Sequence, residues 1–313
     1  MNIENQHHIP VLTTEFLEYG FPSDGRIFVD GTFGLGGHSK LLLEKYPHIE
    51  KIIGIDRDPE TLEKTELKKN AKIELINGSF SMLEEYLKML GISGVDGILL
   101  DLGISSWQID NSERGFAFSQ KGPLDMRMNR SSGKTAAQIV NTFSAEELAN
   151  IFYQYGEEKL SRRIASKIVY LRSKKPFEST EELSQAVIAA LPPGAGRNSR
   201  IHPATRVFMA LRIAVNHELE ELENVITGAI NSLNPGGRLS IISFHSLEDR
   251  IVKNAFQIAS GKCLCPPGLP ECRCGNKAII KIITRKPITP NSKEENENPR
   301  SRSAKMRIAE KLS

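Results

Sequence analysis

Three short apolar runs in the first third of the chain each end in an aspartate: Ile27-Phe28-Val29-Asp30, Lys51-Ile52-Ile53-Gly54-Ile55-Asp56 and Gly97-Ile98-Leu99-Leu100-Asp101. A fourth run, Ala71-Lys72-Ile73-Glu74-Leu75-Ile76, lies between the second and third. The stretches separating them, beginning with His38-Ser39-Lys40-Leu41-Leu42-Leu43, have helical apolar spacing. Short β-rich runs alternating with helices are βαβ units, which build a parallel sheet with helices on both faces. The fold class expected is therefore α/β, a doubly wound and mostly parallel, Rossmann-like sheet.

The alternation stops near Asn111. From there to Ala204 no buried strand is evident, but Ser144 with Glu147 and Ser179 with Glu182 fit the S-x-x-E capping box that starts a helix. Gly156, Pro176 and Pro192-Pro193-Gly194 punctuate these helices. One long helical pattern then runs from His202-Pro203 to Leu233, with Val207, Leu211, Ala214, Val215, Leu219 and Leu222 on one face. It stops at the turn Asn234-Pro235-Gly236-Gly237, and Arg238 to Phe244 is the strand expected to return the chain to the first sheet. This divides the chain into a discontinuous sheet domain (1–111 and 206–289), an inserted all-helical substrate-recognition domain (112–205) and a basic C-terminal tail (290–313), within which 290–303 is expected to be a mobile polar linker.

Composition narrows the class of protein. With 313 residues, 39% hydrophobic and 25% charged, the chain can bury a sizeable core. No apolar run approaches the roughly 18 to 20 residues that cross a bilayer, and the start lacks the order of a signal peptide, so no membrane partner and a cytoplasmic location are expected. A net charge of +3 does not by itself announce a nucleic-acid binder. From Arg285 onward, eight Lys or Arg stand against four Glu, which suits a solvated tail or phosphate contact. Cys263-x-Cys265 and Cys272-x-Cys274 could hold a structural zinc, but C-x-C pairs depart from the usual C-x₂-C knuckles, and no metal is assigned from sequence.

The glycine turn after the first strand carries the cofactor expectation. Its spacing, Asp30-x-x-x-Gly34-x-Gly36-Gly37-His38, is not the dinucleotide G-x-G-x-x-G, although NAD remains the competing ligand for such a site. Glycines there let the backbone approach a ligand beside the positive end of the next helix. Asp56, at the second strand's tip, can accept both ribose hydroxyls of a nucleoside, and Phe80 can lie against an adenine ring or pack in the core. At the fourth strand Asp101 is the candidate catalytic carboxylate. An aryl amine's lone pair is delocalised, so attack on a sulfonium methyl gains from an oxygen that accepts the amine hydrogens and aligns the nitrogen. Amine methyltransferases usually continue this position with Pro-Pro and an aromatic. Here Leu102, Gly103 and Ile104 follow, leaving Trp107 as the stacking ring on offer and Gln108 as a donor and acceptor for either ligand. Asp101 could equally hold the amino group of the methyl donor.

Several longer stretches resemble one family, the MraW family of small-subunit ribosomal RNA cytosine 4-amino methyltransferases. They are Asp30 to Ser39, Gly54-Ile55-Asp56-Arg57-Asp58-Pro59, Asp96 to Ser106, Glu113-Arg114-Gly115-Phe116, Gly122-Pro123-Leu124-Asp125-Met126-Arg127-Met128, His202-Pro203-Ala204-Thr205-Arg206 and Gly236 to Arg250. The resemblance implies a class I methyltransferase sheet, S-adenosylmethionine as cofactor and methylation of a cytidine in the decoding region of 16S ribosomal RNA within the small ribosomal subunit. Gly36, Gly37, His38, Asp56, Phe80, Asp101 and Gln108 match the family's cofactor-binding positions. Arg114, Arg127, Lys159, Arg162, Arg163, Arg197, Arg200 and Arg206 are candidate phosphate contacts, and Asp125 and His245 candidate base contacts. Other readings stay open at this point: an amine of another nucleic acid or of protein as substrate, a non-catalytic RNA-binding assembly factor, and a homodimer or another oligomeric state.

Overall fold

A computed structural model describes residues 10–192, 202–265 and 273–313. Arg197, Arg200, Cys272 and the Pro193-Gly194 break lie outside the described residues. The chain divides into two compact units, Met1–Gly103 with Leu219–Ser313, and Ile104–Glu218.

The first unit is built on seven strands: β1 Ile27–Asp30, β2 Lys51–Asp56, β3 Ile73–Asn77, β4 Val95–Asp101, β5 Leu233–Ser243, β6 Ile280–Ile282 and β7 Lys305–Lys311. Their order is β3-β2-β1-β4-β5-β7-β6. All pairings among β1 to β5 are parallel, and β7 runs antiparallel between β5 and β6. This is the doubly wound, mostly parallel sheet expected from the sequence. Alternate side chains go to opposite faces, as a period of two requires. Val29, Ile53, Ile98, Leu100 and Ile241 pack with Leu83, Leu222, Val225 and Phe256 on one face, while Phe28, Ile52, Leu99 and Ile242 pack with Phe16, Phe21 and Leu42 on the other. Both faces being covered, the strands are apolar almost throughout.

Four features differ from the sequence expectation. The long pattern from 202 to 233 is two helices, Thr205–Asn216 and Glu218–Ser232, because His217 sits in the left-handed region at φ 53° and stops the first. Asn234 to Gly237 bulge within β5 and do not form a separate turn: the register jumps from Val95↔Leu233 to Gly97↔Arg238. Lys305 to Lys311, expected in a basic tail, form an inner strand of the sheet. Met306 and Ile308 are fully buried, and Arg307, 8% exposed, gives Nε and Nη2 to Asp249 at 2.7 and 3.2 Å. The pairing neutralises a charge that, in sequence, hides the alternation of a buried strand. The linker expected at 290–303 contains a helix, Ser292–Glu297, whose Glu294 accepts a hydrogen bond from the backbone of Leu12 at 2.7 Å.

The second unit is helical: Ala136–Thr142, Ala145–Gln154, Ser161–Arg172, Thr180–Ala190 and Thr205–Asn216, with the short Ser106–Asp110. Both capping boxes expected from sequence are formed, at Ser144 and Ser179. Leu148, Phe152, Ile164, Ile168, Leu183, Val187, Val207 and Leu211 make its core. Among the described residues no helix is long and apolar enough to cross a membrane.

Candidate active site

The tips of β1, β2 and β4 lie side by side at the carboxyl edge of the sheet, where ligands bind in open α/β folds. After β1 the chain turns through Gly34 and Gly36, at φ 55° and 84°, into the helix Gly37–Lys45. A side chain at Gly36 would be strained by that φ, and its Cβ would come within 2.5 Å of Leu67 and 2.7 Å of Phe33. Among the described residues, chain neighbours aside, an added Cβ at Gly34 would meet only Thr32 O, at 3.9 Å, so its backbone is open to close approach. The turn is tied to the neighbouring tip, because Gly34 N donates to Asp56 Oδ2 at 2.7 Å and Asp58 N to Asp56 Oδ1 at 2.8 Å. Each Asp56 oxygen keeps a further lone pair for a hydroxyl.

Asp30, His38 and Asp101 form one cluster. Ser39 Oγ donates to Asp30 Oδ2 at 2.7 Å, and Asp101 N donates to Thr32 Oγ1 at 2.6 Å. His38 Nε2 is 3.4 Å from Asp101 Oδ2, close enough for charge attraction but without hydrogen-bond geometry, and the ring packs edge-on against Phe16. Asp30 Oδ1, Asp101 Oδ1 and both ring nitrogens of His38 are buried with no hydrogen-bond partner among the described residues. A buried polar atom left unpaired costs about 1–3 kcal/mol, so a group of them at one edge marks a place shaped for a polar ligand. Burial pushes the Asp30 carboxyl up to about 6 despite the lowering influence of His38 and Ser39, and likewise pushes Asp56 up to about 6 against its two backbone donors.

These groups fit S-adenosylmethionine. Acceptors at the Asp56 tip suit a ribose, and unpaired carboxylate oxygens suit an ammonium and the field of a sulfonium. They suit NAD poorly, since its pyrophosphate would face three carboxyl groups.

The structure brings together Gly36, Gly37, His38, Asp56 and Asp101 in the first unit, where Phe80 also lies, partly buried against the core beside β1. Gln108 lies in the second unit and is 5% exposed; its Oε1 accepts from Ser105 N at 3.1 Å in a capping box. In the same unit Arg114 is fully buried, stacks on Trp107 at 5.1 Å and donates to the carbonyls of Arg127 and Met128, so it supports the fold and is not offered to phosphate. Arg127 grips Asp125 through two hydrogen bonds of 2.7 and 2.9 Å, and this pairing holds the Asp125 carboxyl below its usual range against the raising effect of burial. His245 caps the helix Ser246–Ala259 by accepting from Glu248 N at 3.4 Å. Lys159, Arg162 and Arg163 are exposed, and Arg206 is half-buried with its Nη1 4.0 Å from Glu158 Oε2.

Sequence reasoning passed over Thr32 and Ser39 as holders of the cluster, and Glu221, which receives hydrogen bonds from Arg57 and Ser79 and so joins the loops after β2 and β3. Thr32 and Ser39 were legible as the polar residues flanking the glycines. Glu221 was not, because a helix glutamate far along the chain carries no local signal.

The model of the MraW methylase family matches residues 5–312. The chain is 48% identical over 310 residues to the ribosomal RNA small subunit methyltransferase H of Heliobacterium mobile, covering 98% of this chain and 99% of that one. It is 46% identical over 313 residues to the protein of the same name from Geobacter sp. strain M21, covering 99% and 100%. Among solved structures, an rRNA methylase from Streptococcus thermophilus superposes with a TM-score of 0.41 at 13% identity, covering 96% of this chain and 95% of that one. On the family match and the full-length relatives, the chain belongs to the MraW methylase family.

Proposed function

We propose that this chain transfers the methyl group of S-adenosylmethionine to the exocyclic 4-amino group of a cytidine in the decoding region of 16S ribosomal RNA, presented within the small ribosomal subunit. The observation that carries the reading is the cluster of unpaired polar atoms on Asp30, His38 and Asp101 beside an open glycine turn. The relatives' name, ribosomal RNA small subunit methyltransferase H, supports the substrate.

When bound, S-adenosylmethionine supplies an electrophilic methyl group on a positively charged sulfur. Asp56 accepts the ribose hydroxyls, and Asp30 and His38 receive the amino acid end. Asp101 Oδ1 would accept a hydrogen of the cytosine amine, turning the nitrogen lone pair toward the methyl carbon, and would take up the proton released as the N–C bond forms and the S–CH3 bond breaks with its electron pair left on sulfur. Gln108 belongs to the helical unit. That unit handles substrate: a cytosine must leave its stack to be methylated, and the exposed Lys159, Arg162 and Arg163, with the half-buried Arg206, suit backbone phosphates. The test is to incubate small subunits lacking the modification with labelled donor and analyse the nucleosides by mass. Label in 4-methylcytidine is expected, and label in another nucleoside or in protein overturns the assignment.

The site also sets a pH dependence. Burial raises the Asp30 and Asp56 carboxyls from the ordinary 3.8 to about 6, so they stabilise the fold below about pH 4 and lose that contribution as pH rises through 6. Asp30, 1% exposed, carries the larger share, since Asp56 is partly open. A cationic ligand favours the ionised carboxylates, so its binding releases protons. Affinity for S-adenosylmethionine should therefore rise between about pH 5 and pH 7 and then level off. Calorimetry in buffers of different ionisation heat reads the release, and an affinity unchanged across that range would remove the cation from this site.

A further inference from the structure

The cysteines have no part in the methyl-transfer site. Cys263 and Cys265 follow the helix Ser246–Ala259, and Cys274 precedes β6. The connection is pinned at its base: Ser260 bridges to Ala278, Ile279 N donates to Ala259 O at 2.8 Å, and Asn276 Nδ2 donates to the carbonyls of Ile258 and Lys262, each at 2.8 Å. Among the described residues of the connection, 260–265 and 273–279, none is buried, and Leu264 is 55% exposed. Even so, three sulfurs converge. All lie within 4.8 Å of one another, with Cys263 and Cys274 at 4.0 Å.

We propose that Cys263, Cys265 and Cys274 bind one zinc ion, which fastens the end of the helix Ser246–Ala259 to the edge strand β6. Zinc–sulfur bonds of about 2.3 Å at tetrahedral angles place sulfurs about 3.8 Å apart, near the spacing seen here. Backbone N–H groups hold the sulfurs: Leu264 N donates to Cys274 at 3.4 Å, Cys265 N to Cys263 at 3.4 Å and Arg273 N to Cys265 at 3.2 Å. Donors around the sulfurs are what orient ligands in thiolate metal sites. The three cysteines sit where no described neighbour is buried, and a soft ion on thiolates would supply order there. A disulfide between Cys263 and Cys274 would need the sulfurs at about 2.05 Å, well inside their 4.0 Å separation. Cys272 lies outside the described residues and bears none of the argument.

The full-length chain, purified without chelator and under reductant, is analysed for metals, titrated for reactive thiols and exchanged with cobalt(II). About one zinc per chain is expected, together with the sulfur-to-cobalt charge-transfer and strong visible bands of a tetrahedral thiolate site. Cys263→Ser and Cys274→Ser should each lose the metal while binding S-adenosylmethionine as the parent does, which shows that the sheet is folded. If either variant fails to fold, the cobalt spectrum of the parent decides. Failure to take up zinc or cobalt with the thiols freely reactive, a disulfide in the reduced preparation, iron or copper in place of zinc, or uptake unaffected by both substitutions overturns the proposal. None of these readouts depends on which nucleoside is methylated.

Discussion

Replacing Asp101 with alanine is expected to lower methyl transfer by about 10²–10⁴-fold, the range for losing a positioned proton acceptor. The fold should survive. Asp101 is anchored through its backbone, whose N–H reaches Thr32 Oγ1, and its Oδ1 has no partner to lose. Single-turnover rates at saturating donor, compared with calorimetric affinity for S-adenosylmethionine, separate two roles. A fall in rate at unchanged affinity places the carboxylate on the cytosine amine. A fall in affinity at unchanged rate moves it to the donor's amino group, and no change in either removes it from the site. Asp101→Asn keeps one acceptor oxygen without the charge and should fall between the parent and the alanine variant.

Asp56→Ala should weaken S-adenosylmethionine binding by about 10²-fold or more, since hydrogen bonds to a charged group contribute about 1.5–3 kcal/mol each and two ribose hydroxyls lose their acceptor. The same change strips the acceptors from Gly34 N and Asp58 N, which loosens the glycine turn as well. The loss should therefore exceed that of Asp56→Asn, which keeps one of the two oxygens. Calorimetry checks both, and an affinity within about twofold of the parent for Asp56→Ala would place the ribose elsewhere.

The parts of this fold legible in sequence are those whose signal is local. β1, β2 and β4 read clearly because their buried positions short of the tip are apolar and each ends at an aspartate, and the caps at Ser144 and Ser179 read because both partners lie three residues apart. β7 did not, since Lys305, Arg307, Glu310 and Lys311 interrupt its apolar residues and the neutralising Asp249 lies 58 residues away from Arg307. The break at His217 was hidden because the apolar face continues across it, and only the left-handed φ reveals the stop. In the site, the glycines and the tip acids were visible as types in a spacing. Which carboxyl is satisfied and which is left with an unpaired oxygen is a property of burial, and no spacing reports it. The same holds for Arg114, a charged residue whose full burial under the Trp107 ring could not be told from a solvated one.

β4 and β5 are hydrogen-bonded neighbours, yet the whole helical unit Ile104–Glu218 is threaded between them in sequence. Joining two strands across an unstructured loop of that length sacrifices about 4 kcal/mol of chain entropy. Once the inserted helices have collapsed on their own core, most of that freedom is already gone, and the two strand ends search a far smaller space for each other. Damage to the insert's interior is thereby felt as slower closure of a sheet to which it contributes no strand.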